Sequence, residues 1–112
     1  MDLTERGHPN RIKEVFKMSL LAWIQGWYEQ RCDGEWEHTE GITIATLDNP
    51  GWHIDISLID TEYENKEFES VEDYRTEDNW IVCEVKDGKF NGAGGPLNLE
   101  EMLKAFHDWI LS

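Results

Sequence analysis

The sequence is short of cysteine, of basic residues and of long hydrophobic runs. Its two cysteines, Cys32 and Cys83, do not form a CxxC pair and predict no disulfide framework. No apolar run approaches the length of about 18 residues that a membrane-spanning helix needs, and the first residues do not resemble a signal peptide. No internal repeat or low-complexity segment is present. We therefore expect a soluble, cytoplasmic protein.

Basic residues are heavily outnumbered. The chain has 10 Lys and Arg against 24 Asp and Glu, a formal net charge of -14. Residues 1–17 hold four of the basic and three of the acidic side chains, so the remaining chain holds six basic and 21 acidic ones. The negative electrostatic potential of such a surface repels phosphate groups, so we expect binding neither to nucleic acid nor to an anionic membrane. A basic protein, in contrast, would be attracted. The alternative is that the acidic surface only maintains solubility.

Apolar and aromatic residues, by contrast, are sufficient for one folded domain. The 112 residues are 39% hydrophobic and include six Trp, which serve either as core anchors or as half-exposed interface residues. We expect a loose N-terminal tail at residues 1–10 and a single domain at residues 11–112.

Two helices are predicted, one at each end of this domain. From Ile12, capped by Asn10, apolar residues recur at helical spacing until the helix ends near Arg31 and Cys32. The last helix follows Asn98, with Glu101 three residues on in a capping-box arrangement. Its core-facing stripe consists of Leu99, Met102, Leu103, Phe106, Trp109 and Ile110.

Strands are predicted between the helices. Residues 41–47 and the alternating segment 52–58 form a hairpin, joined by a type II turn in which Gly51 supplies a positive φ. A third strand lies around residues 69–75, with Phe68, Val71 and Tyr74 as anchors, and a fourth, covered on both faces, at residues 80–85. We interpret residues 92–96 as a tight loop. The predicted fold is α+β, an antiparallel meander of about four strands packed against the two helices.

One loop could carry chemistry. Cys32, Asp33, Glu35, Glu37 and His38 stand close together, and a metal site or a cysteine nucleophile is conceivable there. One Cys and one His in a single loop are fewer ligands than a structural zinc site needs. A cysteine nucleophile is also disfavoured, because the neighbouring carboxylates raise the pKa of the Cys32 thiol and burial raises that of Cys83. We favour a loop held by local hydrogen bonds, with Asp33 capping the turn, Trp36 packed on the sheet and His38 bonded to a carboxylate. We expect no catalytic residue, cofactor or metal.

The order of motifs resembles the immunity protein 53 family, small bacterial proteins associated with toxins of interbacterial competition. The resemblance covers roughly residues 20–110 and rests on four segments: Cys32–Trp52, Asn79–Cys83, Asp87–Phe90 and Gly92–Pro96. It implies a protein that binds and neutralises a cognate toxin. Many such toxins are basic nucleases, which agrees with the acidic composition. Residues 1–17 lie outside the clearest part of the resemblance.

These observations together predict a toxin-binding surface. Residues 60–78 hold nine carboxylates and only two basic side chains, and we expect them to crowd one sheet edge. The proposed contacts are Glu62, Glu64, Glu67, Glu69, Glu72 and Asp73, with Trp36, Glu37 and His38 adjoining. Two alternatives remain open: a small enzyme or metal-binding protein that uses the Cys32–His38 loop, and a module that self-assembles through exposed Trp. The sequence leaves the oligomeric state and the identity of the toxin open.

Overall fold

The computed structural model describes residues 19–112, which form an α+β fold as predicted. The tail expected at residues 1–10, the Asn10 cap and the helical segment from Ile12 to Met18 lie outside the described residues. The elements in chain order are α1 (Leu20–Arg31), α2 (Trp36–Thr39), β1 (Ile42–Leu47), β2 (Gly51–Ser57), β3 (Val71–Thr76), β4 (Asn79–Lys86), β5 (Lys89–Gly94) and α3 (Leu99–Leu111).

Helix α1 ends at Arg31, as the sequence predicted. Within the described residues it begins after Ser19, whose Oγ accepts a hydrogen bond from the Ala22 amide at 3.0 Å and so satisfies one of the free donors of the first turn. Ile24 and Trp27 are its buried residues. The helix therefore meets the core along one stripe near its middle and its end.

The sheet has five strands, and its order differs from a simple meander. All neighbours are antiparallel, in the order β1-β2-β5-β4-β3. The segment interpreted as a loop at residues 92–96 begins instead as the end of β5, the central strand. Gly92 explains this, because a Cβ there would lie 3.0 Å from Ile54 Cγ1 and 3.1 Å from Met102 Sδ. Its missing side chain lets the strand fit between β2 and α3.

The β1–β2 hairpin is confirmed, but its turn is not the one predicted. Gly51 is already the first residue of β2, paired with Leu47, and it does not have a positive φ. The Asn49–Pro50 peptide bond is cis. Glycine is needed at position 51 for another reason, since a Cβ there would meet the carbonyl oxygen of Gly94 on the neighbouring strand.

Within residues 19–112, the helices cover one face of the sheet. The inner face of β4 carries Ile81 and Cys83, which are buried, whereas Val82 on the opposite face is only half-buried. The prediction that this strand is covered on both faces was therefore wrong. Tyr74 lies on the same outer face and stacks on Trp80 with centroids 6.0 Å apart, so it is not a core anchor. Phe68 and Val71 do pack against the core.

Helix α3 presents the predicted stripe to the core. Phe106 is its central residue, with ring centroids 5.2 Å from Trp27 of α1 and 5.1 Å from Phe90 of β5. Asn98 occupies the N-cap position without a side-chain cap. Its Oδ1 instead accepts from the Trp80 amide at 3.3 Å, and its Nδ2 donates to Glu101 Oε1 at 3.0 Å. The predicted capping box is therefore absent, because these side chains tie the helix to β4.

Glu101 also pairs with β3. Arg75 Nη1 and Nη2 donate to its two carboxylate oxygens at 3.0 and 2.8 Å, and this pairing holds the pKa of Glu101 below its usual value. Because the pKa of Glu101 is lower in the folded than in the unfolded chain, the Arg75–Glu101 pair stabilises the fold fully at pH values above the unfolded-state pKa, about 4.3. This stabilisation is lost as the pH falls through the folded-state pKa, where Glu101 becomes protonated. The contact is half-exposed, so solvent screening keeps its contribution below about 1 kcal/mol.

We therefore expect Glu101→Gln to be less stable than the native chain at pH 7, by an amount that shrinks as the pH falls below about 4. Urea unfolding of both proteins between pH 3 and 7 measures this difference. A difference that stays constant over the whole range would contradict the role of the charge.

Candidate functional site: an acidic groove beside the Cys32–His38 loop

An open groove of about 720 Å³ lies where α1, the Cys32–His38 loop and the segment after β2 meet. Its lining is dominated by charged and titratable side chains: Arg31, Asp33, Glu35, His38, Asp60 and Glu62. Four carboxylates face one guanidinium and one imidazole, so the groove is acidic. It brings together one part of the predicted contact set, Trp36, His38 and Glu62, with residues that the prediction did not include.

Arg31 forms one wall of this groove and is held by aromatic rings. Its guanidinium carbon lies 5.1 Å from the ring centroid of Trp27 and 5.9 Å from that of Tyr63, within the range of cation–π attraction. Its Nη1 is 3.7 Å from Glu62 Oε1, a long ion pair on a carboxylate that is 71% exposed. The Arg31 side chain is itself only 15% exposed, so most of its charge is turned toward the protein. The spacing of Trp27 and Arg31, four residues apart in a helix, was the sequence signal for this contact.

The carboxylates of the Cys32–His38 loop bind the backbone of the loop itself. Asp33 Oδ1 accepts from the amides of Glu35 and Trp36, each at 2.9 Å. Glu37 accepts from the amides of Asp33 at 3.0 Å and Gly34 at 2.9 Å. The amides of Trp36 and Glu35 hold the pKa of Asp33 below its usual value, and the amide of Glu37 itself, with those of Asp33 and Gly34, does the same for the pKa of Glu37. The predicted capping role of Asp33 is confirmed.

Trp36 and His38 are placed differently from one another. Trp36 is buried against Trp27, at a centroid distance of 6.3 Å, and its Nε1 donates to the Ile59 carbonyl at 2.8 Å. Its ring packs on Trp27 and Tyr28 of α1, its Nε1 bonds to the segment after β2, and little of the ring is left for a partner. His38 is exposed, and its ring makes no hydrogen bond with the described residues, so the expected carboxylate partner is not found among residues 19–112.

The acidic residues of the 60–78 segment do not crowd a single sheet edge. Glu62 is in the groove, and Glu64 accepts a hydrogen bond from the Asp60 amide at 3.0 Å. Glu67 and Glu69 are exposed on the connection that precedes β3. Only Glu72 and Asp73 lie on the edge strand β3 itself. These carboxylates therefore follow the chain from the groove to β3, and we call Glu62, Glu64, Glu67, Glu69, Glu72 and Asp73 the acidic band.

Both cysteines have structural surroundings. Cys83 is buried in the sheet, and burial raises the pKa of its thiol to about 11. Cys32 Sγ donates to the Tyr28 carbonyl at 3.4 Å, a contact that closes the end of α1. Within residues 19–112, no group of three or more His, Cys, Asp or Glu side chains is arranged to hold a metal ion.

The tryptophans are not an exposed interface. Trp27, Trp36 and Trp109 are buried, and the other three, Trp23, Trp52 and Trp80, are half-buried. Self-assembly through exposed Trp therefore has no support in the described part of the chain. None of the helices between residues 19 and 112 is long and apolar enough to cross a membrane.

Comparison with known proteins gives one family. Residues 21–111, most of the chain, match the family model described as immunity protein 53. Neither the curated proteins nor the solved structures contain a match to the chain. The match includes α1 from its second residue, the groove, the whole sheet and α3. The chain therefore belongs to the immunity protein 53 family, and its function is that of an immunity protein.

Proposed function

We propose that this immunity protein neutralises a basic toxin of the nuclease type, used in competition between bacteria, by binding it through the acidic groove and the acidic band. It acts as an inhibitor by binding and not as an enzyme. The observation that carries the proposal is the uncompensated negative charge of the folded domain. Residues 19–112 hold 21 acidic and six basic side chains.

Most of those six basic side chains are already occupied within the fold. Arg31 packs over Trp27 and Tyr63, and Arg75 is bound to Glu101. Lys66 Nζ donates to the carbonyls of Trp109 at 2.7 Å and Ser112 at 3.0 Å, and Lys104 pairs with Asp108. Of the acidic band, only Glu62 and Asp73 form an ion pair with a basic side chain among residues 19–112, with Arg31 and Arg75 respectively. The surface therefore attracts positive charge over distances comparable to the Debye length, about 8 Å at physiological salt.

A nuclease that binds a phosphate backbone presents a basic surface, and the acidic band offers that surface the same sign of charge as its substrate. Charges at the rim of an interface mainly raise the association rate, while those that become desolvated slow dissociation. Glu67, Glu69, Glu72 and Asp73 are exposed and belong to the first kind. We expect the groove residues Asp60 and Glu62 to belong to the second, because a partner seated in the groove would cover them.

The other predicted contacts, Trp36, Glu37 and His38, differ in how far their side chains are exposed to a partner. His38 lines the groove and can touch a partner. Glu37 is half-buried, and both of its carboxylate oxygens accept hydrogen bonds from backbone amides. It therefore adds to the negative potential of the surface but is not a direct contact with the toxin. We leave Trp36 out of the contact surface because its ring is buried.

We expect Glu67→Gln combined with Glu69→Gln to slow association with the toxin severalfold and to flatten the dependence of the association rate on salt. The probe is the toxin domain encoded beside the gene for this chain, and stopped-flow kinetics at several salt concentrations measures the rates. The matched control is Glu29→Gln combined with Glu100→Gln, which removes the same charge from exposed helix positions outside the band.

Comparing the association rates of the two double variants distinguishes an effect of the acidic band from an effect of the net charge of the whole chain. If both slow association equally, only net charge matters and the acidic band is not the contact. If neither changes the rate or the salt dependence, the proposal of an acidic contact surface fails.

A further inference from the structure

The two edges of the sheet are protected very differently. Edge strand β3 carries Glu72, Asp73 and Arg75, and its pairing with β4 is interrupted by a register shift between Tyr74 and Thr76. Charges and irregularities of this kind prevent an edge from pairing with another strand. Edge strand β1 has the sequence ITIATL, without a charge, a proline or a break in its register with β2. In a chain that is 30% charged, this strand has none of these protective features, and no strand among residues 19–112 pairs with its outer side.

The hydrogen-bonding groups of β1 can be assigned from one bond. The Ser57 amide donates to the Gly41 carbonyl at 3.0 Å, so Gly41 and Ser57 form a hydrogen-bonded pair. Such pairs alternate along antiparallel strands, so Thr43, Ala45 and Leu47 bond to β2. The amides and carbonyls of Ile42, Ile44 and Thr46 therefore point away from the sheet. Nothing among residues 19–112 pairs with them.

The side chains of this edge also lack a neighbour. Ile44 faces the helix side of the sheet and is paired with Ile54, yet it is 40% exposed whereas Ile54 is fully buried. An additional strand beside β1 would cover the open side of Ile44. The edge thus offers three donors, three acceptors and an apolar side chain to one extended segment.

A second copy of this chain fits that edge poorly. Antiparallel self-pairing that uses all three outward residues must place Ile44 opposite Ile44 of the second copy and Ile42 opposite Thr46 of the second copy, because only outward groups can bond to each other. That register brings Glu40 opposite Asp48 of the second copy at both ends of the pair. Like charges directly opposite each other are destabilising, and the net charge of -14 on each chain adds to the repulsion.

We propose that β1 binds an extended segment of the toxin as a sixth strand of the sheet, with a positively charged residue of that segment meeting Glu40 or Asp48. Main-chain hydrogen bonds to Ile42, Ile44 and Thr46 supply the pairing, and the flanking carboxylates select a basic partner. This inference rests on the proposed function only in taking the basic toxin as the occupant. It adds a second contact, at the edge of the sheet opposite to β3.

The test compares two substitutions at Thr46, whose amide points away from the sheet. Thr46→Pro removes that donor and places a ring in the path of an added strand, and proline is tolerated at an edge position of this kind. Thr46→Val retains the amide and the β-branched shape and is the matched control. We expect the proline variant to remain folded and to bind the neighbouring-gene toxin domain about tenfold or more weakly, while the valine variant binds like the native chain.

Amide hydrogen exchange of the full chain provides a second measurement that does not depend on a variant. In the free protein, the Ile44 and Thr46 amides should exchange as solvent-facing groups, and in the toxin complex they should become protected. Protection of both amides in the free protein would show that a second copy or residues 1–18 already occupies the edge and would overturn the proposal.

The outcomes separate this inference from the proposed function. If the native chain does not bind the toxin domain at all, the proposed function fails. If it binds with an affinity that Glu67→Gln with Glu69→Gln weakens, while Thr46→Pro binds normally and the two amides stay unprotected, the proposed function stands and the added strand is wrong.

Discussion

Gly51→Ala should destabilise the fold by about 3 kcal/mol, because the added methyl group would collide with the backbone of the adjacent central strand. A Cβ at this position meets the carbonyl oxygen of Gly94, and backbone atoms of a central strand cannot move aside as a flexible side chain can. Trp52 and Gly94 are paired next to this point, so a shift of either strand would disturb the β2–β5 ladder. Chemical denaturation measures the loss as a lower midpoint.

The cause can be distinguished from a positive φ. If Gly51 were required for its backbone conformation, Gly51→Asn would be tolerated better than Gly51→Ala, because Asn enters the left-handed region more easily. A collision with the Gly94 carbonyl predicts that both variants are destabilised, Asn at least as much as Ala. The opposite ranking would restore the original turn assignment.

Gly26→Ala is the matched control. Gly26 lies inside α1, and a Cβ there has no atom within 4 Å. The same chemical change should therefore stabilise the protein by about 0.5–1 kcal/mol, because alanine favours helix and restricts the unfolded chain. Opposite signs for one substitution at two glycines would confirm that the surroundings decide the effect.

Phe106→Ala should cost about 3–5 kcal/mol, a large part of the total stability of a small domain. Phe106 is fully buried, and it contacts α1 through Trp23 and Trp27 and the sheet through Phe90. Removing its ring leaves a cavity where both helices and the sheet meet. We expect the Phe106→Ala variant to unfold at a markedly lower temperature than the native chain, and the Phe106→Leu variant to unfold at a temperature between these two.

The control for this core substitution is Leu97→Ala. Leu97 is 92% exposed, just before α3, so its truncation should change stability by less than about 0.5 kcal/mol. A Phe106→Ala protein as stable as the Leu97→Ala protein would mean that the described core does not hold the two helices to the sheet.

Several elements were predictable because their signals are local. The end of α1, the β1–β2 hairpin and the core stripe of α3 follow from periodicities of 3.6 and 2 residues, which depend only on neighbouring side chains. The capping role of Asp33 is equally local, since it binds amides two and three residues further on. The raised pKa of the Cys83 thiol followed from its place in an apolar run.

Other features depended on neighbours distant in sequence. The glycines of β5 look like a loop until Ile54 and Met102 are placed against Gly92, and the proposed capping box gave way because Asn98 binds the Trp80 amide. The groove residues were missed in part for the same reason, since Arg31 meets Tyr63 and Glu62 only in the folded chain. Contacts of this kind have no periodic signature.

The sequence by itself determined the fold class, the excess of negative charge and the resemblance to immunity protein 53, because composition, periodicity and motif order are all properties of the linear chain. Only the tertiary structure decided that β5 lies between β2 and β4, and that the acidic residues of the 60–78 segment do not all lie on one sheet edge. It also decided which two strands form the edges, one with charges and a register shift and the other with neither. Strand order and edge exposure arise from pairing between segments far apart in sequence, where each choice depends on the packing of all the others.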